Sequence, residues 1–168
     1  MKQFKTLLLA TALCIGTVSF TNAQSKIAHI NTQDLITAMP EMKEAQKQLE
    51  TLSKTYQKDI QSSITEFQTL LKQYEAEAAT KSEDENAKRG QEIQEKQQRI
   101  QQFQADAQKD LQKKELDLIQ PITEKAKAAI LKVGRAQGYD YVLDASQGVT
   151  ILADGKNLLD DVKKSLGI

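Results

Sequence analysis

Between residues 41 and 118 the apolar positions form a thin stripe rather than a broad face. Met42, Ala45, Leu49, Leu52, Tyr56, Ile60, Ile64, Phe67, Leu71, Tyr74 and Ala78 follow one another at steps of three or four, with Lys, Glu, Gln, Asp, Ser and Thr between them. Such steps are the α-helical period. No proline follows Pro40 in this stretch and no glycine precedes Gly90, so a single helix is predicted over 41–79, roughly 58 Å long at 1.5 Å per residue. A stripe this narrow covers one partner helix and closes no core. The extra step of four between Leu52 and Ile64 relaxes a left-handed supercoil, so the helix should be nearly straight there.

The only reversal in the pattern lies at residues 80–86. Thr80 with Glu83, and Ser82 with Glu85, both match a capping box, and acidic side chains fill the first turn that follows, where the positive end of a helix favours them. A second stripe then runs through Ile93, Gln97, Ile100, Phe103 or Gln104, Ala107, Leu111, Leu118, Ile122, Ala126, Ile130 and Val133. Nine of the residues 91–112 are Gln, so the seam there is sparse. Two long helices joined by a short polar link lie antiparallel as a hairpin. Pro121 removes one backbone hydrogen bond and predicts a kink. The apolar face widens after it, which marks the junction between a projecting arm and a body.

Both ends of the chain carry short strand patterns. Residues 26–31 read as a strand, followed by a helical turn over 33–38 capped by Asn31 or Thr32, and Pro40 suits the first turn of the long helix. After the break at 134–138, residues 139–144 and 149–153 read as two strands of a hairpin with a four-residue link. A closing helix over 157–166 places Leu158, Leu159, Val162 and Leu166 on one face. The fold class is therefore α+β: a small β body built from 24–40 and 119–168, and a helical hairpin arm over 41–118 with its tip near 80–86.

The first residues are set apart from this fold. Lys2 and Lys5, an apolar run and the small-residue site Thr21-Asn22-Ala23 form a signal peptide over 1–23, too short to span a bilayer. Cleavage near Ala23 removes Cys14, the one cysteine, so the exported chain has neither disulfide nor thiol chemistry. The full chain balances 23 basic against 23 acidic side chains, and loss of Lys2 and Lys5 leaves a slight negative excess. That balance argues against nucleic acid as a partner. Trp is absent, and the few aromatics support one small domain rather than an enzyme-sized core. A body so small buries too little apolar surface to stand alone, which points to an oligomer.

Particular segments resemble the Skp/OmpH family of periplasmic chaperones: Lys26-Ile27-Ala28, Pro121 to Ala126 with Ala129-Ile130, Gly138 to Ala145, and Leu159-Asp160-Asp161-Val162. The layout matches over the whole exported chain, and the two body segments are the specific part. The resemblance implies a homotrimer in which strands of three subunits build a central β body. Three coiled-coil tentacles hang from that body around a cavity, and unfolded outer-membrane β-barrel proteins are held inside without ATP. Well-known members are strongly basic on the arms. This chain is near neutral, so lipopolysaccharide or a membrane surface is not an expected partner.

On this reading the client-binding candidates are Ile64, Phe67, Leu70, Leu71 and Tyr74 on the outgoing helix, with Ile93, Ile100 and Phe103 on the return. Leu70 and Leu71 are adjacent and cannot both face one partner helix. Exposed apolar groups worth about 1–2 kcal/mol each suit weak, multivalent holding of an unfolded chain. Assembly is expected to rest on Ile30, Tyr141, Val142, Leu143 and Ile151. No catalytic residue, metal ligand or cofactor is expected. His29 lacks a second ligand nearby, Asp140, Asp144, Asp160 and Asp161 read as turn, edge and cap residues, and no glycine-rich phosphate loop is present. The alternative is a structural or adaptor coiled-coil protein of a cell-envelope assembly, which should show a patterned tip. Residues 80–86 are polar and unpatterned, and favour the chaperone.

Overall fold

The computed structural model describes residues 25–148, 150 and 152–168. The expected signal peptide and Ile151 lie outside the described residues. Strand β1 (Ile27–Ile30) leads into helix α1 (Thr32–Ala38), and Asn31 is the cap that forms, its Oδ1 accepting from the Asp34 amide at 3.1 Å. Pro40 opens helix α2 (Pro40–Glu77) at the position where its missing N–H costs nothing. A 3-10 turn (Ala78–Thr80) ends it, and Ser82 caps helix α3 (Glu83–Ala136) by accepting from the Glu85 amide at 3.3 Å. Of the two capping boxes in the sequence, the second sets the start. Its Glu85 side chain turns to Lys81 and Arg89 instead.

Helix α3 is continuous through Pro121. Up to that point its only sealed side chain is Ala107, whereas Ile122, Ala126, Ala129 and Val133 are all buried beyond it. The widening of the apolar face in sequence is thus the place where the helix leaves its single partner and enters a core. At its end Gly138 takes a positive φ of 70°, and the Tyr139 amide returns to the Gly134 carbonyl at 3.0 Å. Lys26 reinforces this terminus, its Nζ donating to the Gln137 carbonyl at 2.6 Å beside the Tyr139 ring.

The sheet corrects the expected hairpin. Strand β2 (Tyr141–Asp144) and strand β3 (Lys156–Asn157) are not neighbours; both pair with β1, in parallel, giving the order β2-β1-β3. Ile27 sits opposite Tyr141 and Ile30 opposite Asp144, while Ala28 and His29 face Lys156 and Asn157 on the other side. Thr150, Leu152 and Ala153 belong to no strand. The physical reason is Asp144. Its carboxylate accepts from the Thr32 hydroxyl at 2.7 Å and the Ser146 amide at 2.9 Å, while its carbonyl accepts from the Thr150 hydroxyl. The chain is tied down to the start of α1 at the point where a hairpin would have to turn back. It then crosses to the far edge of β1, where His29 Nε2 donates to the Gly155 carbonyl at 3.1 Å.

Helix α4 (Leu159–Leu166) begins two residues later than the sequence pattern indicated, because Asn157 pairs in the sheet and its side chain receives the Leu159 amide at 2.9 Å. Leu158 and Val162 are fully sealed, together with Leu35. They join Ala28, Ile30, Met39, Ala45 and the buried face of α3 in one core, drawn from the two ends of the chain. At full burial such side chains contribute about 1.5–3 kcal/mol each. Gly134 lets α3 lie close on β2: a Cβ there would stand 3.0 Å from Val142 Cγ2.

Candidate functional site

Helices α2 and α3 run antiparallel as the arm, and the graded burial of its side chains is the feature that bears on function. Ile64, Phe67, Leu70, Leu71, Tyr74, Ile93, Ile100 and Phe103 are all half-buried, none sealed and none fully open. The only sealed residues of the arm are alanines, Ala45 and Ala107. Leu70 and Leu71 are both partly covered, so neither points wholly to solvent. Shallow clefts follow this edge. One of about 170 Å³ is lined by Ser63, Phe67, Arg99 and Ile100, and another of about 380 Å³ by Tyr56, Phe103 and Ala107. Tyr56 and Phe103 meet edge to face at 6.0 Å.

Polar side chains complete the arm. Tyr56 donates its hydroxyl to Asp110 Oδ2 at 2.8 Å, and Tyr74 donates to Glu92 Oε2 at 2.6 Å. Each hydrogen bond raises the phenol's pKa above its ordinary value, with burial and the carboxylate's charge adding to it. Arg89 binds Glu77 at 2.7 Å, covers the Tyr74 ring at 4.5 Å from its centroid, and holds the Glu77 carboxyl below its usual range. At the base Lys125 pairs with Glu41 and likewise lowers its pKa. Tyr74 therefore differs from the other candidates, because its ring face and its hydroxyl are both engaged within the tip.

The second set of candidates divides. Tyr141 is 59% exposed and Leu143 46%, both on the outward face of β2, and Ile27 stands beside Tyr141 in the same register. Val142 points the other way, half-buried against α3. Ile30 is a correction: it is sealed at 1% exposure in its own subunit, because alternation along β1 turns Ala28 and Ile30 inward together. Between that sheet and α3 lies a groove of about 500 Å³, lined by Ile36, Ile130, Leu131 and Val142 and rimmed by Lys127 and Arg135. The four aspartates sit before and at the end of β2 and at the start of α4. Asp140 receives the Lys26 amide at 2.8 Å, Asp160 and Asp161 open α4, and Asp161 is paired with Gln137 and Lys156.

A profile of the family described as Outer membrane protein (OmpH-like) matches residues 26–166. The chain belongs to the OmpH-like family. Among its relatives is the Chaperone protein Skp of Photorhabdus laumondii, 26% identical over 164 residues that span 96% of this chain and 99% of the relative. The protein of the same name from Photorhabdus luminescens matches to the same extent. A crystal structure from Caulobacter crescentus CB15, described as an OmpH-like outer membrane chaperone, superposes with a TM-score of 0.77 at 18% identity, over 86% of this chain and 85% of that one. The OmpH-like fold, a small sheet carrying long helices, is thus shared at a sequence distance where few side chains are.

Sequence reasoning missed the tyrosine–carboxylate pairs of this OmpH-like arm. Tyr56 was placed in the apolar stripe and Tyr74 among the client contacts, since neither hydroxyl carries a local signal. The signal is symmetric about the tip: Asp110 and Glu92 lie as far beyond residue 83 as Tyr56 and Tyr74 lie before it.

Proposed function

We propose that this OmpH-like protein is an ATP-independent periplasmic holdase, exported through its signal peptide, which binds unfolded outer-membrane β-barrel proteins and delays their aggregation in transit. The observation that carries this reading is the graded exposure of the arm. Ile64, Phe67, Leu70, Leu71, Ile93, Ile100 and Phe103 are each half-covered, so each offers part of its surface without any one forming a deep pocket. Many partial contacts of about 1 kcal/mol hold a client collectively and release it piecemeal. No nucleotide enters this account.

The working unit is a homotrimer whose oligomerisation domain is the body, residues 24–40 and 119–168, with the arm over 41–118. Exposed Ile27, Tyr141 and Leu143 give the sheet an apolar outer face, which a soluble subunit covers by assembly. Sedimentation of the exported chain tests this, and a trimer mass with an elongated frictional ratio is expected. Chaperoning is tested by diluting a urea-denatured outer-membrane β-barrel protein into buffer with the protein and following light scattering. Suppression at one trimer per client is expected; scattering unchanged from the client alone rejects the reading.

A further inference from the structure

Four side-chain hydrogen bonds or ion pairs join α2 to α3 among the described residues: Glu41–Lys125, Tyr56–Asp110, Tyr74–Glu92 and Glu77–Arg89. In every pair the two residue numbers sum to 166. One antiparallel register therefore holds from the base of the arm to its tip. The two tyrosines are 18 residues apart, five helical turns, so they share one face of α2 about 27 Å from each other. Asp110 and Glu92 repeat the same spacing on α3.

The apolar seam between these points does not fix that register by itself. Its positions recur every three or four residues, and α3 answers them mostly with Gln between 94 and 104. A slip by one turn would set similar side chains opposite each other again, and the linking residues 78–82, exposed throughout, could take up the displaced chain. Hydrogen bonds are different. A displacement of about 5 Å, one helical turn, carries a hydroxyl wholly out of range of its acceptor.

We propose that Tyr56–Asp110 and Tyr74–Glu92, with Arg89–Glu77, are register pins: they hold the two helices of the arm at one alignment and so keep Phe67, Leu70, Ile100 and Phe103 half-exposed for a guest. These are positioning residues, and the link to a guest rests on the holdase reading. The pins themselves do not.

Spin labels on Lys58→Cys and Gln94→Cys, exposed positions that the shared register sets about 21 Å apart along the arm axis, report a slip almost in full in the whole exported protein diluted with unlabelled copies. The expected result for the parent is one narrow distance distribution. Tyr56→Phe/Tyr74→Phe/Arg89→Gln should add a second population displaced by about 5 Å, one turn, with helix content by circular dichroism unchanged and client holding reduced severalfold. Should that variant fold poorly, Tyr56→Phe/Tyr74→Phe keeps the rings and the ion pair and should show a smaller second population. Asp110→Asn/Glu92→Gln leaves an acceptor oxygen for each hydroxyl and should behave as the parent. A distribution that stays narrow without the pins overturns the proposal, and a displaced register with undiminished holding overturns its link to the guest. If the parent itself fails to hold a client, the holdase reading falls while the distances still decide the pins.

Discussion

The arm and the body distribute their apolar surface in opposite ways. In the body the extremes occur side by side: Leu35, Leu158 and Val162 are sealed completely, while Tyr141, Leu143 and Leu152 are open to solvent. Along the arm nearly every large apolar side chain stands between those limits, Leu116 being the open exception. A surface split into sealed and open residues is made for one partner of fixed shape, since the open residues are either covered all together or not at all. Uniform partial cover instead leaves many small contacts of similar strength, and no single client geometry is required to use them.

Core truncation should break the body and barely touch the arm. Leu35→Ala removes a fully sealed side chain and should cost about 2–5 kcal/mol in denaturant unfolding, and Val162→Ala, which removes fewer atoms from an equally sealed place, somewhat less. Phe67→Ala takes away a larger side chain from a half-covered place, where the neighbours can relax and water already reaches. It should cost about 1–2 kcal/mol, while weakening client holding more than either core change does. Equal costs for Leu35→Ala and Phe67→Ala would erase the contrast between the two regions.

The next largest effect concerns association. Tyr141→Ser/Leu143→Ser places polar groups on the outer sheet face without opening the core, so the folded subunit should survive and the oligomer should not. Sedimentation should show dissociation at concentrations where the parent stays assembled. Ile30→Ala supplies the opposite control: since Ile30 is sealed within the subunit, it should lower stability by about 2–5 kcal/mol and leave the assembly contacts themselves intact.

Helix-scale features were legible in the sequence because they repeat. The stripe from Met42 to Tyr74 sampled one period many times over, so α2 and α3 fell within a few residues of their expected limits, and the cap at Ser82 followed from local chemistry. The sheet was not legible in the same way. Strand pattern alone places 139–144 beside 149–153, because sequence neighbours usually pair. Here the decision lies in the hydrogen bonds from Thr32 to Asp144, across more than a hundred residues. Ile30 failed for a related reason: alternation assigns it to one face of β1, but only the position of α1, α3 and α4 tells which face is inside. The candidate client contacts were readable as a stripe, and their degree of exposure depended on how closely α3 lay against α2.

The smallest effect comes from acid, and it sharpens the comparison because carboxylates fasten both regions. Glu41 and Glu77 on the arm are held below their ordinary range by Lys125 and Arg89. In the body burial pushes the Asp144 carboxyl up, but hydrogen bonds from Thr32 and Ser146 outweigh it and leave the pKa lowered. A lowered folded pKa means that the unfolded chain takes up protons first. The stability these groups contribute is therefore fully present above about pH 4, the ordinary carboxylate range, and is lost as pH falls through the folded values. Asp144→Asn isolates the body's share. It should lower stability at pH 7 by about 1 kcal/mol or less, since the site is largely exposed. Thermal unfolding of parent and variant should converge as pH falls below the ordinary carboxylate range and the parent's carboxyl takes up its proton. A difference that stays constant as pH falls from 7 through the whole titration of the carboxylates would show that the shape of the Asp144 turn, and not its charge, diverts the chain away from a hairpin.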